Sequence, residues 1–175
     1  MQETDTAGRV ASNWRSDLKA NSRRRGAIGA IIAWWLSPGF KAVTIYRLSR
    51  AARDYGPVGK LASQLLWRWC VASTGCYISP LARIGPGLSL PHAVGVVVGE
   101  GVEIADHVTL YQHVTLGRAR EDDAVYPVVG QGVIIYAGAV VVGDVTLGAG
   151  SVVGANAVVI RDVAAGATAV GLPAK

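Results

Sequence analysis

Two hydrophobic patterns with different periods divide the sequence near residue 75. Before that point residues 26–36 form an apolar run, and over residues 41–54 and 60–72 apolar residues recur at spacings of three and four with Arg and Lys between them. These spacings place side chains on one face of an α-helix. The breakers Ser37-Pro38-Gly39 and Gly56-Pro57 separate the stretches. The pattern therefore predicts a helical segment over residues 1–75.

Beyond residue 75, aliphatic residues recur at every sixth position, and a small residue often follows. The series, which is interrupted twice, consists of Ile78, Ile84, Leu90, Val98, Ile104, Leu110, Leu116, Val129, Ile135, Val141, Leu147, Val153 and Val159. A period of six cannot stay on one face of an α-helix, which has 3.6 residues per turn. A hairpin meander would show turns at intervals of about 8–12 residues instead. The period predicts a parallel β-helix over residues 76–175, with the aliphatic side chains inside.

The two interruptions of the repeat are the places where chemistry is expected, because loops on a rigid scaffold often carry function. The first adds two residues between positions 90 and 98 and contains His92. The second covers positions 116–129 and is interpreted as a loop that replaces two repeats and carries the charged residues 118–123. His92 is the candidate general base, since imidazole titrates near neutral pH and accepts a proton from a hydroxyl.

Composition narrows the class of protein. Hydrophobic residues make up 51% of the chain and charged residues 17%, which excludes a disordered chain. The formal net charge of +5 allows an anionic partner, but no basic motif rich in aromatic residues marks the second half, so no nucleic-acid partner is expected. Neither a signal peptide nor a membrane span of ~20 residues is recognisable, which predicts a cytoplasmic protein. No histidines and carboxylates show metal-ligand spacing, so no metal is expected.

The repeat resembles that of the hexapeptide-repeat acyltransferases, and three strings resemble the serine O-acetyltransferases in particular. The strings are LPHAVGVVVGE at residues 90–100, TLYQHVTLG at 109–117 and GATAVGLPAK at 166–175. The resemblance implies a left-handed parallel β-helix, the known exception to right-handed crossovers. It also implies acetyl-CoA as the acyl donor and a homotrimer with active sites between subunits. His92 then corresponds to the catalytic base of the family.

The same resemblance implies roles for further residues. Small residues would line the coenzyme A groove, where backbone N–H groups bind the developing oxyanion, and basic residues would lie near the 3′-phosphate. These donor-side residues are Gly117, Ala137, Gly138, Ala155, Arg161 and Lys175. Candidates on the acceptor side are Tyr126, at the place of a family histidine, with His113, Arg118 and Arg120. For each of them a packing or solvated role is the alternative.

Departures from the family pattern favour a different acceptor. Tyr77 stands where the family has the Asp that orients the catalytic histidine, and Pro91 replaces a second Asp. Val125-Tyr126 replaces the Arg-His pair that binds the serine carboxylate. Residues 16–22 are similar to the start of short exopolysaccharide acetyltransferases of the colanic acid type. The preferred hypothesis is acetyl transfer to a sugar hydroxyl in exopolysaccharide biosynthesis; the alternatives are L-serine in cysteine biosynthesis and a non-catalytic β-helix scaffold.

Residues 23–36 suggest contact with a membrane surface. Arg23, Arg24 and Arg25 precede an apolar run that ends near Trp34 and Trp35. Basic residues beside an apolar helix that ends in tryptophan suit the membrane interface. Packing of this helix within the protein's own trimer is the alternative.

Overall fold

Four helices precede a β-helix in this computed structural model, which describes residues 4–174, with the side chains of residues 13–174. The helices are α1 (Thr4–Asn21), α2 (Gly26–Leu36), α3 (Pro38–Ala52) and α4 (Gly56–Thr74). Ser37 caps α3, because its hydroxyl oxygen accepts a hydrogen bond from the Phe40 N–H at 3.3 Å. Pro38 begins α3, at a position where the N–H that proline lacks has no helical partner.

α3 is the buried helix that joins the helical segment to the β-helix. Tyr46 is 2% exposed and donates its hydroxyl proton to the Ala82 carbonyl at 2.8 Å. Arg47 forms a buried ion pair with Asp17 of α1, with 3.0 Å between Nε and Oδ2, and also donates to the carbonyls of Ile84 and Gly85. A buried guanidinium is stable only when its N–H groups have partners of this kind. The network therefore fixes α1 and α3 against the start of the β-helix.

Thirteen short parallel strands in the described part of the chain form three flat faces. Face A contains β1 (Tyr77–Ile78), β3 (Val97–Val98), β6 (Thr115–Gly117), β9 (Val140–Val142) and β12 (Val158–Val159). Face B contains β2 (Arg83–Ile84), β4 (Glu103–Ile104), β7 (Val128–Val129) and β10 (Thr146–Leu147). Face C contains β5 (Thr109–Leu110), β8 (Ile134–Ile135), β11 (Val152–Val153) and β13 (Thr168–Ala169). One coil of the chain visits faces A, B and C in turn.

The strand register places the aliphatic repeat in interior ladders. On face A the paired inward residues are Ile78, Val98, Leu116, Val141 and Val159, each at most 2% exposed. Burying one such side chain contributes about 1.5–3 kcal/mol. The ladders confirm the predicted parallel β-helix.

Both interruptions of the repeat lie at corners between faces. The two extra residues near His92 fall where the chain passes from face C to face A. The second interruption lies between Leu116 on face A and Val129 on face B, which are successive inward positions of one coil. These positions are thirteen residues apart instead of six, so the loop adds seven residues to a single step. The interpretation that the loop replaces two repeats is wrong, because no face of that coil lacks a strand.

Candidate active site at two corners of the β-helix

The predicted site residues lie at the two corners that border face A. We call the passage from face C to face A the C–A corner and the passage from face A to face B the A–B corner. Because the coils stack in register, the residues at one corner form a column along the axis of the β-helix. The two columns run along opposite edges of face A.

The C–A corner collects His92 and three of the predicted donor-side residues, whereas Gly117 and Arg161 lie at the A–B corner. The residues of the C–A corner, from the first coil upward, are His92, then Tyr111 and His113, then Tyr136, Ala137 and Gly138, then Ala155 and Asn156. Backbone hydrogen bonds connect successive coils here, from the Gly138 N–H to the Gln112 carbonyl at 3.0 Å and from the Asn156 N–H to the Ala137 carbonyl at 2.9 Å. A groove along this corner would therefore begin at His92.

His92 is exposed and stands at the foot of an aromatic ladder. Its ring centroid lies 6.2 Å from that of Tyr111, and Tyr111 stacks on Tyr136 with 5.1 Å between centroids and 22° between planes. The His92 carbonyl accepts a hydrogen bond from the Val94 N–H at 2.8 Å, which holds the turn. Within residues 13–174 no carboxylate hydrogen-bonds the imidazole. Tyr77, at the place of the orienting Asp, packs edge-on against Trp67 at 4.7 Å.

The Tyr111–Tyr136 pair is a feature that sequence reasoning missed. Both tyrosines directly follow an inward aliphatic residue on face C, at a position where the repeat most often has a small residue. Two bulky aromatic side chains at this position in consecutive coils were the available signal. Only the register shows that they stack on each other and that the stack reaches His92.

His113 and Gly138 make close contacts between coils at this corner. His113 has the left-handed φ of 59°, and its ring rests on Gly95 of the coil below, where an added Cβ would lie 2.2 Å from Nδ1. A Cβ at Gly138 would lie 2.2 Å from the Asn156 side-chain oxygen. Only glycine allows these approaches. His113 therefore has a packing contact with the coil below, at Gly95, which lies three residues after His92.

The A–B corner holds the long loop and the remaining described candidates. The Tyr126 ring covers Gly99 and Gly101, where an added Cβ at Gly101 would lie 2.2 Å from Cδ2. The Tyr126 hydroxyl donates to Glu100 Oε1 at 3.1 Å, and the Arg118 guanidinium lies 5.8 Å from the ring centroid. Desolvation and the Glu100 carboxylate raise the pKa of Tyr126, which keeps its hydroxyl a neutral donor. Tyr126 thus anchors the loop to the coil below.

A cleft of about 470 Å³ runs from this loop across the outside of face A. Trp67, Tyr77, Gly117, Arg118 and Tyr126 are among the residues that line it. The space beside the Gly117 Cα is open, because an added Cβ would meet no atom within 4 Å. A ligand therefore has room beside the Arg118 side chain.

The other basic candidates are Arg120 and Arg161, which lie at A–B corners, and Lys175. Arg120 is exposed, and its backbone N–H donates to Asp123 Oδ2 at 3.0 Å. Arg161 is exposed at the A–B corner of the last coil. Lys175 lies outside the described residues. A single chain therefore does not bring His92 together with Tyr126, Arg118 and Arg120.

The remaining reactive groups do not form a second site. Within the described residues no three His, Cys, Asp or Glu side chains are grouped so that they could hold a metal ion. Cys70 and Cys76 are free and buried. Burial raises the pKa of the Cys70 thiol to about 11 and also raises that of Cys76, so neither is an activated nucleophile.

Similarity to known proteins identifies the family. Residues 126–161 match the bacterial transferase hexapeptide family (six repeats). The chain is 43% identical over 143 residues to serine acetyltransferase of Helicobacter pylori (strain J99), an alignment that covers 80% of this chain and 81% of that protein. The chain belongs to the serine acetyltransferase family. A Schizosaccharomyces pombe relative within the family is 38% identical over 138 residues, covering 78% of this chain, and this chain spans only 50% of its length.

Solved structures of the serine acetyltransferase family confirm the fold as a left-handed β-helix with a helical N-terminal segment. The soybean apoenzyme superposes with a TM-score of 0.86 at 32% identity, covering 98% of this chain and 70% of the soybean chain. The soybean complex with serine gives 0.84 at 34% identity, covering 96% and 69%. A serine acetyltransferase complex with CoA gives 0.81 at 31% identity, covering 98% and 70%. The predicted class of enzyme, an acetyl-CoA-dependent acetyltransferase, is thereby confirmed.

The preferred acceptor was wrong. The relatives are named serine acetyltransferases at 30–46% identity, which contradicts sugar acetylation in exopolysaccharide biosynthesis and the likeness to colanic acid acetyltransferases. The hypothesis rested on replaced side chains at Tyr77, Pro91 and Val125-Tyr126. A replaced side chain shows that one contact has changed. Which acceptor the site binds is decided by all the groups around it together. These names favour the alternative of L-serine over the sugar hypothesis, and the confirmed class of enzyme contradicts the scaffold alternative.

Proposed function

We propose that this chain transfers the acetyl group of acetyl-CoA to the side-chain hydroxyl of L-serine. The observation that carries the proposal is the 43% identity to a serine acetyltransferase across 81% of that enzyme. His92 accepts the hydroxyl proton as the serine oxygen attacks the thioester carbonyl. The tetrahedral intermediate then expels the CoA thiolate, which takes the proton back from the imidazolium. This sequence regenerates neutral His92.

The donor lies along the C–A corner in this proposal. Ala137 and Ala155 are small residues of this column, and their coils present backbone N–H groups that suit the pantetheine amides. The stacked rings of Tyr111 and Tyr136 form one wall between His92 and the later coils. A rigid aromatic wall limits where the thioester lies relative to the imidazole.

Arg118 supplies the positive charge for the serine carboxylate, in place of the Arg-His pair that the chain lacks. Arg118 lines the cleft on face A, and its guanidinium lies over the Tyr126 ring. Tyr126 is in turn held by Glu100, which fixes the platform under the guanidinium. A guanidinium in this setting binds a carboxylate through two parallel N–H groups.

The active unit is a homotrimer with its sites between subunits. His92 and Arg118 lie on opposite edges of face A, so one chain cannot present both to one serine molecule. A closed threefold ring pairs one patch of each chain with a different patch of the next. Such a ring would set the C–A corner of one subunit against the A–B corner of its neighbour.

The test is acetylation of L-serine by the purified full chain and by two histidine variants. His92→Ala is expected to lower kcat by about 10²–10⁴-fold, the usual contribution of a general base, and to leave the binding of CoA unchanged. His107→Asn is the matched control, because His107 is exposed at a corner away from face A and asparagine tolerates its left-handed φ of 58°. The proposal fails if the wild-type chain does not acetylate serine, or if His92→Ala keeps more than about a tenth of the rate.

A further inference from the structure

Positive charge is concentrated in the helical part of the chain. Residues 1–75 contain 12 Lys and Arg against 4 Asp and Glu, whereas residues 76–175 contain 5 against 8. The formal charges of the two parts are therefore +8 and −3. The proposed acetyl transfer takes place at the corners of the β-helix, so it does not account for the excess positive charge of the helical part.

α2 buries one side and leaves an apolar stripe on the other. Its small residues Gly29, Ala30 and Ala33 face the protein. Ile28, Ile31 and Trp35 are 76%, 64% and 78% exposed, and their spacing of three and four places them together on the outer side. Large apolar side chains grouped and exposed in this way mark an interaction surface.

A basic cavity lies at the N-terminal foot of this stripe. The cavity, of about 580 Å³ between α1 and α2, is lined by Arg15, Lys19, Arg24 and Arg25 with Trp14 and Leu18. No carboxylate among residues 13–174 forms an ion pair with these four basic side chains. The first turn of α2 has no side-chain cap, so its free N–H groups add to the positive potential at the foot.

The stripe is suited to lying on a bilayer. Among the described residues no single helix is long and apolar enough to cross a membrane. α2 and α3 taken together have the length and composition of one membrane span, but a bend of 106° separates them. α3 is a core helix, with Phe40, Val43, Ile45 and Tyr46 buried and Arg47 paired to Asp17. Of these two helices, α2 is the one that offers its apolar side outward, which is the arrangement of an interfacial helix.

We infer that α2 docks on the surface of an anionic phospholipid bilayer. Ile28, Ile31 and Trp35 enter the boundary between headgroups and acyl chains, and Arg24 and Arg25 meet lipid phosphates at the foot of the stripe. Charge complementarity favours lipid over an isologous contact with a second copy of this chain, because such a contact would bring the same arginines together. The inference is independent of which acceptor the enzyme uses.

The experiment measures co-sedimentation of the full chain with vesicles. Phosphatidylcholine vesicles with about a third phosphatidylglycerol are expected to bind the protein, and phosphatidylcholine alone to bind it poorly. Raising the salt from about 0.05 M to about 0.5 M is expected to weaken binding, since it shortens the screening length of exposed charges. Equal binding to neutral vesicles, or none at low salt, overturns the inference.

Matched variants distinguish binding through Arg24 and Arg25 from binding through the overall positive charge of the helices. Arg24→Gln with Arg25→Gln is expected to lower the partition coefficient about 25-fold, or about fivefold for each arginine near the surface. Lys60→Gln with Arg68→Gln removes the same charge from α4 and is expected to change partitioning less than about threefold. The inference is wrong if both pairs reduce binding equally.

A second pair of variants tests the apolar stripe. Ile31 on α2 and Leu65 on α4 are 64% and 63% exposed, so substitution by Asp makes the same change in two equally exposed places. Ile31→Asp is expected to abolish sedimentation with vesicles, to leave the mass from light scattering unchanged and to leave serine acetylation in solution unchanged. Leu65→Asp is expected to retain vesicle binding. A change of oligomer mass in Ile31→Asp would instead assign the stripe to a contact between copies and overturn the membrane inference.

Discussion

At the scale of single residues, the proposed binding of serine depends most directly on Arg118. Arg118→Gln is expected to raise the KM for serine about 10–100-fold, because a hydrogen bond to a charged group contributes about 1.5–3 kcal/mol. The KM for acetyl-CoA is expected to stay constant, since the proposed donor position lies along the other corner. Steady-state kinetics with each substrate varied in turn measures both constants.

Arg120→Gln is the matched control for this prediction. Arg120 is exposed in the same loop, and the hydrogen bond that the structure gives it uses the backbone N–H, which the substitution keeps. Its KM for serine is expected to stay within about twofold of wild type, as for an exposed residue without a bound partner. Equal effects of the two substitutions on the KM for serine would contradict a specific contact with Arg118 and would show that the loop acts only through its overall positive charge.

At the scale of the elements, the joint between α1, α3 and the first coil depends on Asp17. Its Oδ2 accepts from Arg47 at 3.0 Å, and its Oδ1 accepts from the Gly87 N–H at 2.8 Å. Asp17→Asn leaves the buried Arg47 charge without a counter-ion, which is expected to lower the free energy of unfolding by about 3–5 kcal/mol. Urea unfolding followed by far-UV circular dichroism measures the loss.

The exposed pair Arg83–Glu103 is the control for this buried one. Its atoms are closer, at 2.7 Å, but the two side chains are 72% and 48% exposed. Glu103→Gln is expected to cost at most about 1 kcal/mol, because water screens surface ion pairs. If the two substitutions cost the same, burial of Asp17 and Arg47 does not decide the strength of the joint.

The six-residue period predicted the elements well where the repeat is unbroken. It identified inward residues such as Val98 and Val153, because the period itself states which side chains face inward. It failed at the long loop, since counting residues from Leu116 to Val129 does not tell on which face the chain returns. Strand register supplied that answer. The same limit explains why the sequence placed His92 at an interruption yet missed the Tyr111–Tyr136 stack beside it.

At the scale of the whole molecule, the separation of the two corners explains what could not be derived from one chain. The sequence provided His92, Tyr126 and Arg118 as candidates, but the fold places them on opposite edges of face A. Spacing along a sequence does not reveal on which edge of a face a residue will lie, and so it does not show this separation. The acceptor was misassigned for a different reason, because the replaced side chains at Tyr77, Pro91 and Val125-Tyr126 were given more weight than Arg118, which the sequence also offered as an acceptor-side candidate.

The proposal that each site joins two subunits can be tested by mixing inactive chains. His92→Ala chains lack the base, and Arg118→Glu chains lack the carboxylate partner, so each homotrimer is expected to be inactive. In trimers assembled at random from both chains, about a quarter of the sites combine an intact His92 from one subunit with an intact Arg118 from its neighbour. Co-expression of equal amounts of the two chains with the same affinity tag, so that all trimers are purified together, and a serine acetylation assay measure the recovered activity.

The control places both substitutions, His92→Ala and Arg118→Glu, on the same chain. When both are placed on one chain and mixed with wild type, about a quarter of the sites are intact if each site joins two subunits, against about half if each site lies within one chain. Sites within one chain would also leave the mixture of single variants without activity. Recovered activity near a quarter in both mixtures therefore requires that the C–A corner of one subunit works with the A–B corner of the next.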